Sequence, residues 1–416
     1  MKIVVVGSGL IGLSTAYFLA KSQHDVVVIE RQSGPALETS FANGGLLTPS
    51  LSDPWNAPGV ASKMLSWLGR EDSPVLLRPK ALPSLAVWGL QFLSESRQVK
   101  FSRNMARNVR LAQYNLTVMD SLAADLSLKA LEGGRGTLKV ARDQATMDHM
   151  IALSGILKDQ SVGFEVVDQH RACEIEPALV PIRNKLVGAL FCPDDGFGDA
   201  HLFCQRLAQS AKALGVTFQF DTSVTGFEQA SHGVSAVLTD AGAVAADAVV
   251  IAAGSYSVAL AAKLGVRLPV RPCKGYSLTV PIGNWQAGPK MPVIDDALHA
   301  VVTPLGDRLR VAGTAEFSGF DTEINPHRIE NVKRLMAQIY PEFMAHYDEA
   351  AAEPWAGLRP VSATGVPIIG KTTVPNCFVN TGHGHLGWSM AAGSGKALAD
   401  VINQTPPAIA IADYQP

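Results

Sequence analysis

Apolar residues open the chain as two short runs, Ile3-Val-Val-Val6 and Val26-Val-Val-Ile29. β-Branched runs of this length predict strands buried on both faces, as in a parallel sheet. Between them, Leu13 to about Lys21 predicts a helix, so the first thirty residues read strand, turn, helix, strand. The pattern then breaks. Pro54, Pro58, Pro74, Pro79 and Pro83, with Trp55, Trp67 and Trp88, punctuate a segment of short apolar helices such as Ser84 to Leu93,. Its tryptophans and leucines suit either a core or a patch facing a membrane or a partner. A helix near 104–127 follows.

Gly133-Gly-Arg-Gly136 reads as a turn before a strand at 137–141. A helix near 144–159, strands at 162–167 and 186–191 and a helix at 202–214 come next. Strands at 216–220 and 223–227 and a hairpin over 233–246 lead to the apolar run Asp247 to Gly254, which ends in Ala252-Ala253-Gly254. Residues 266–355 are rich in strands, with one helix near 330–339. Gly357-Leu-Arg359-Pro360 reads as a turn. The strand Phe378 to Asn380 then enters Thr381-Gly-His383-Gly-His385-Leu-Gly387 and a helix from Ser389 to Ile402.

Two of these junctions carry candidate chemistry. Gly7-Ser-Gly9-Leu-Ile-Gly12 joins the first strand to the first helix. Gly7 permits the sharp turn, Gly9 lets a pyrophosphate approach the backbone, and Gly12 lets the helix pack on the sheet. The helix start offers N–H groups and the positive end of its dipole. Glu30 stands where an acid accepts hydrogen bonds from a ribose diol. The alternative, a secretory signal peptide, fails because the glycines interrupt the apolar run and no A-x-A-like cleavage site follows. The glycine turn at 382–387 is a second strand-to-helix junction able to aim N–H groups at an anion or ring edge. The loop Thr39-Ser-Phe-Ala-Asn43-Gly-Gly45-Leu46 suits either a backbone-lined ligand site or a surface turn.

Composition narrows the class. A chain of 416 residues predicts two domains, and 47% hydrophobic content is ample for their cores,. A net charge of −2 with no run of like charge gives no reason to expect nucleic acid,. Cys173, Cys192, Cys204, Cys273 and Cys377 are scattered with no CxxC, which points to reduced thiols in a cytoplasmic setting,. No His, Cys, Asp or Glu set has metal-ligand spacing, so no metal is expected. No stretch is long and apolar enough to span a membrane. Peripheral contact with its inner face stays open, and no feature fixes an oligomeric state.

These motifs together resemble the FAD-dependent D-amino acid oxidase superfamily, and within it the branch of bacterial D-amino acid dehydrogenases of the small-subunit type. The superfamily likeness rests on the GxGxxG with Glu30, Ala252-Ala253-Gly254, Gly357-Leu-Arg359-Pro360 and Gly382-His383-Gly384-His385. The branch likeness rests on the 39–45 loop, the Trp/Pro-rich insert, Gly196-Phe-Gly-Asp-Ala-His201 and Lys274-Gly-Tyr276.

The resemblance implies an α/β plus α+β chain. A discontinuous glutathione-reductase-like, Rossmann-type FAD domain (1–50, 186–265 and 355–416) would hold an inserted antiparallel-sheet substrate domain (51–185 and 266–354). It implies FAD bound through Gly7, Gly9, Ile11, Gly12, Glu30, Arg31, Thr39, Ser40, Ala42, Asn43, Gly44, Gly45, Leu46, Val224, Ala253, Gly254, Gly357, Gly382, Gly384, His385, Leu386 and Gly387. No cysteine stands near Leu358, where some relatives link the flavin, so the FAD is expected to be non-covalent.

Arg359 matches the family arginine that grips a substrate carboxylate, with a structural, turn-capping arginine as the alternative. Tyr276 reads equally as an active-site tyrosine or a core residue. His383 suits a flavin contact or a turn filler, and neutral imidazoles are expected at such a helix start. The implied reaction is oxidative deamination of D-amino acids to 2-oxo acids and ammonia, with electrons passed to a quinone or another carrier. Two other readings share the motifs: an oxygen-using oxidase of glycine, sarcosine, D-proline or D-hydroxyproline, and a non-catalytic FAD-stabilised subunit.

Overall fold

The structure, a computed structural model, describes residues 1–67, 69–71, 73–126, 133–231 and 233–416. Its first sheet has six strands in the order Ile368–Lys371, Cys377–Thr381, Ala248–Ile251, Lys2–Val6, Asp25–Ile29 and Thr217–Gln219. All neighbours are parallel except the first pair. Alternation along the first strand explains its unbroken apolar run. Ile3 and Val5 face a core shared with the helices Leu10–Lys21, Ala200–Ala213 and Gly387–Ile402. Val4 and Val6 face Val234 and Val237 of a three-stranded sheet on the other side. Both faces are covered, so neither tolerates polar residues.

The second sheet has ten strands. Its main path begins at the edge strand Glu353–Ser362, followed by Val270–Pro281, Arg308–Phe317, Ala300–Leu305, Val293–Asp295, Gly134–Ala141, Gly188–Phe197 and Leu46–Leu47. Val75–Leu77 and Glu165–Asp168 pair alongside.

Several expectations change here. Gly357 to Pro360 is not a turn but part of an edge strand, where Pro354 and Pro360 cost little,. Gly134-Arg-Gly136 is likewise strand. Gly133 and Gly134 serve close packing, because a Cβ on either would meet Phe197 within 1.8 or 3.0 Å. The boundaries expected at 50, 186 and 355 also fall differently. Leu46–Leu47, Gly188–Phe197 and Glu353–Ser362 all belong to the ten-stranded sheet, whereas the long helix Gln98–Asp125 packs its Leu111, Val118 and Leu122 on the helices of the parallel sheet. That helix was expected near 104–127, and Ser127 lies outside the described residues.

The Trp/Pro-rich insert forms the helices Val60–Trp67 and Leu82–Glu95. Trp88 and Phe92 pack on Cys273, Phe317 and Val361 at the sheet's edge. Among the described residues, no helix is long and apolar enough to cross a membrane.

Candidate active site

The two sheets meet at a cavity of about 1040 Å³ that runs from Glu30 to Arg359. At its first end the glycine turn has the expected mechanics. Gly7 sits at φ +103°, and a Cβ there would come within 2.8 Å of Ala252 O. A Cβ on Gly12 would lie 1.9 Å from Gly7 O, so only glycine lets this helix start against its own turn. The helix begins with no side-chain cap at Gly9. Among the described residues, only the Leu10 N–H of this first turn meets a side chain, Ser40 Oγ at 3.1 Å. The rest of the first turn is left to a ligand. Glu30 is held by the Ser8 N–H (2.8 Å), the Ser8 hydroxyl (2.9 Å) and the Gln32 N–H (2.9 Å). Arg31 pairs with Glu38 at 2.5 Å and stacks 3.7 Å from the centre of the Tyr256 ring.

Of the residues expected to hold the cofactor, all line this cavity except Gly12, Gly45, Gly382 and Leu386. Those four build the scaffold behind it. Gly45, at φ +73°, closes a turn in which its N–H donates to Asn43 Oδ1. Gly382, at φ +81°, fits between Ser362 and Val270, and Leu386 is buried in the helical core. The 39–46 loop is pinned from the sheet side: Ser277 donates to Ala42 O (2.7 Å) and Thr303 to Gly44 O (2.7 Å).

At the other end Arg359 lies across the sheet on a floor of glycine. A Cβ at Gly275 would meet its Nη1 at 2.0 Å, and Nη1 donates to Thr314 O at 3.2 Å. The Trp355 ring covers Gly357 in the same way. Trp55 roofs the site, 5.8 Å from the guanidinium and stacked on His385 at 5.1 Å. No carboxylate pairs with Arg359 among the described residues. Burial pulls its pKa below the ordinary value, slightly opposed by Cys273. A desolvated cation in that position calls for an anionic ligand.

Of the two readings of Tyr276, the structure favours the core residue. Successive strand residues face opposite sides, so a Gly275 that faces Arg359 sends Tyr276 to the other face. There it packs with Leu278 and Val280, and its hydroxyl donates to Glu316 Oε2 at 2.8 Å. Arg78 holds the other oxygen of Glu316 at 2.7 Å. Tyr276 borders the cavity, but its hydroxyl proton is committed to Glu316.

His383 and His385 both line the cavity. Burial pushes His383 down to about 3. Burial also pushes His385 down to about 4, with Arg359 adding to the effect and Asp53 opposing it. Both imidazoles are thus neutral, as expected at a helix start. His383 Nε2 meets Ser394 Oγ at 3.2 Å.

The residues present fit FAD. Beside the glycine cradle, His383 Nδ1, Asn380 Oδ1 and Trp388 Nε1 are buried, line the cavity and lack hydrogen-bond partners among the described residues. Orphaned donors and acceptors of this kind mark where a polar ligand belongs. Sequence reasoning missed Asn380, Trp388, Trp355 and Thr314. Trp55 was visible only as part of an apolar insert.

The chain is similar to known proteins in sequence and in fold. The chain is 41% identical over 409 residues to a D-amino acid dehydrogenase of Bradyrhizobium diazoefficiens, covering 98% of this chain and 96% of that one. It is 42% identical over 414 residues to a D-amino acid dehydrogenase of Methylobacterium radiotolerans, covering 99% and 98%. In fold it is similar to glycine oxidase from Geobacillus kaustophilus (TM-score 0.78, 22% identity, 99% and 97% covered). L-proline dehydrogenase from P. horikoshii is equally similar (TM-score 0.78, 18% identity, 100% and 96% covered). A family model described as FAD dependent oxidoreductase matches residues 2–401, and the chain belongs to that family of FAD-dependent oxidoreductases.

Proposed function

We propose that this chain oxidises D-amino acids to imino acids, which hydrolyse in water to 2-oxo acids and ammonia. The observation that carries the reading is Arg359, a half-buried cation without a carboxylate partner among the described residues, held over Gly275 at the end of an FAD-sized cavity. A planar guanidinium takes a carboxylate by two parallel hydrogen bonds and so fixes which face of the α-carbon is presented. When bound, FAD supplies the two-electron acceptor for the α-hydrogen. The protein's part is positioning: Arg359 holds the carboxylate, while Trp55 and Trp355 exclude water. Neutral His383 and His385 add no charge to the site. No cysteine lines the cavity, which supports non-covalent FAD.

The electron acceptor in this reading is a quinone or another carrier, on the cytoplasmic side of a membrane. The helix Leu82–Glu95 supports it, because Leu82, Val87, Leu90 and Leu93 are 48%, 73%, 72% and 40% exposed along it. Such an apolar face suits peripheral contact with a bilayer.

Anaerobic mixing of the purified holoprotein with D-alanine is expected to bleach the flavin band, with L-alanine leaving it intact. Equal bleaching by both, or by neither across a panel of D-amino acids, contradicts the proposal. Little oxygen uptake during turnover is expected. Vigorous uptake means that oxygen, not a carrier, is the acceptor.

A further inference from the structure

The strand Arg308–Phe317 is irregular at the point where it passes Arg359. Its register against Val270–Pro281 slips between Gly275 and Tyr276. Gly275 pairs with Ala315 and Tyr276 with Gly313, which leaves Thr314 as the extra residue of a β-bulge. Thr314 sits at φ +61°, in the left-handed region where a β-branched residue is strained. Bulges re-aim one residue and concentrate beside active sites.

Here the bulged residue stands on the cavity wall beside Arg359. Its carbonyl accepts from Arg359 Nη1 at 3.2 Å. The residue is 9% exposed and lines the cavity, and its buried Oγ1 has no hydrogen-bond partner among the described residues. A buried hydroxyl with no partner is costly, and so is a left-handed threonine. A strained backbone that delivers an unsatisfied donor to the side of a desolvated guanidinium points to a ligand shared by the two.

We propose that the Thr314 hydroxyl is the second half of the substrate-carboxylate clamp, donating to one carboxylate oxygen while Arg359 holds the group's charge. This rests on the reading of Arg359 as the carboxylate site. The bulge then does two things: its carbonyl fixes the guanidinium, and its hydroxyl adds a donor that reads the same anion. Tyr276, committed to Glu316 on the opposite face, does not supply that donor.

The test uses the holoenzyme and propanoate, a carboxylate without an amine to oxidise, with binding read from the perturbation of flavin absorbance. Thr314→Val keeps the shape and removes the hydroxyl. It is expected to weaken propanoate about tenfold or more, the scale of one hydrogen bond to a charged group. Thr314→Ser is expected to restore most of the affinity. Thr314→Gly relieves the left-handed strain and is expected to keep or raise the melting temperature while weakening propanoate as the valine variant does. The glycine variant carries the test if the valine variant fails to fold. A purely structural Thr314 predicts the reverse, a changed melting temperature with unchanged propanoate affinity.

Arg359→Leu is measured in parallel. If it abolishes binding while Thr314→Val and Thr314→Gly bind as wild type, the assignment of Thr314 is wrong and that of Arg359 stands. If Arg359→Leu binds propanoate as wild type, both are wrong.

Discussion

Arg359 and Gly275 occupy one another's space: a single methyl group at residue 275 would stand 2.0 Å from Arg359 Nη1 and 2.2 Å from Cζ. The obstacle is the far end of a flexible side chain, so the fold can survive the methyl group, but the guanidinium cannot stay where it is. Gly275→Ala is therefore expected to lower kcat/KM for D-alanine by about a hundredfold, the scale of an ångström-sized misplacement. Bound flavin and melting temperature should stay near wild type. Steady-state kinetics with flavin quantitation checks this, and unchanged turnover would mean that the position of the guanidinium does not matter.

Gly12 presents the opposite case, because its obstacle is backbone. A Cβ there lies 1.9 Å from Gly7 O and 2.9 Å from Gly7 C. Gly12→Ala is expected to open the turn, costing about 1–3 kcal/mol of stability as overpacking does, and to release FAD. Denaturant unfolding and the flavin-to-protein absorbance ratio read the two effects. A stable, fully flavinated variant would contradict the role given to this turn.

Neutral histidines, one buried and one half-buried, make a pH prediction whose sign follows from linkage. His383 and His385 have folded pKa values of about 3 and about 4, below the ~6.5 of an exposed imidazole. Between ~6.5 and about 4 the unfolded chain binds protons that the folded chain refuses, so their contribution is present above ~6.5 and is lost on acidification. Asp195 acts the other way. Burial raises it to about 6, so it favours the folded state at low pH and loses that effect as pH rises through about 6. Comparing wild type with a His383→Asn/His385→Asn variant cancels Asp195. The melting-temperature difference in favour of wild type is expected to shrink as pH falls from 7 to 4, and a constant difference contradicts it.

Local signals in the sequence were legible, and pairings across long separations were not. The glycine turn could be read because Gly7, Gly9 and Gly12 act on each other within one turn. Its partner acid Glu30 follows at the end of the next strand. Gly357-Leu-Arg359-Pro360 looks like a turn by composition, and only its pairing with Val270–Pro281 makes it an edge strand. Tyr276 was left open between site and core because the face it takes depends on that same register. The proximity of Trp55 to Arg359 spans about three hundred residues of chain, which no spacing rule conveys. Thr314 was invisible for a different reason: left-handed threonine runs against its own propensity and is held there by its neighbours.

The account turns on Arg359 as the carboxylate anchor, so the most direct measurement is kcat/KM of Arg359→Leu for D-alanine, with flavin content and melting temperature on the same preparation. Removing a charge-assisted contact in a desolvated site is expected to lower kcat/KM by more than about a hundredfold. Arg359→Lys should recover only part, because a point charge does not reproduce the planar fork. Flavin content and melting temperature should change little. Near-normal kcat/KM in the leucine variant would contradict the account, as would a loss of activity explained entirely by lost flavin or lost fold.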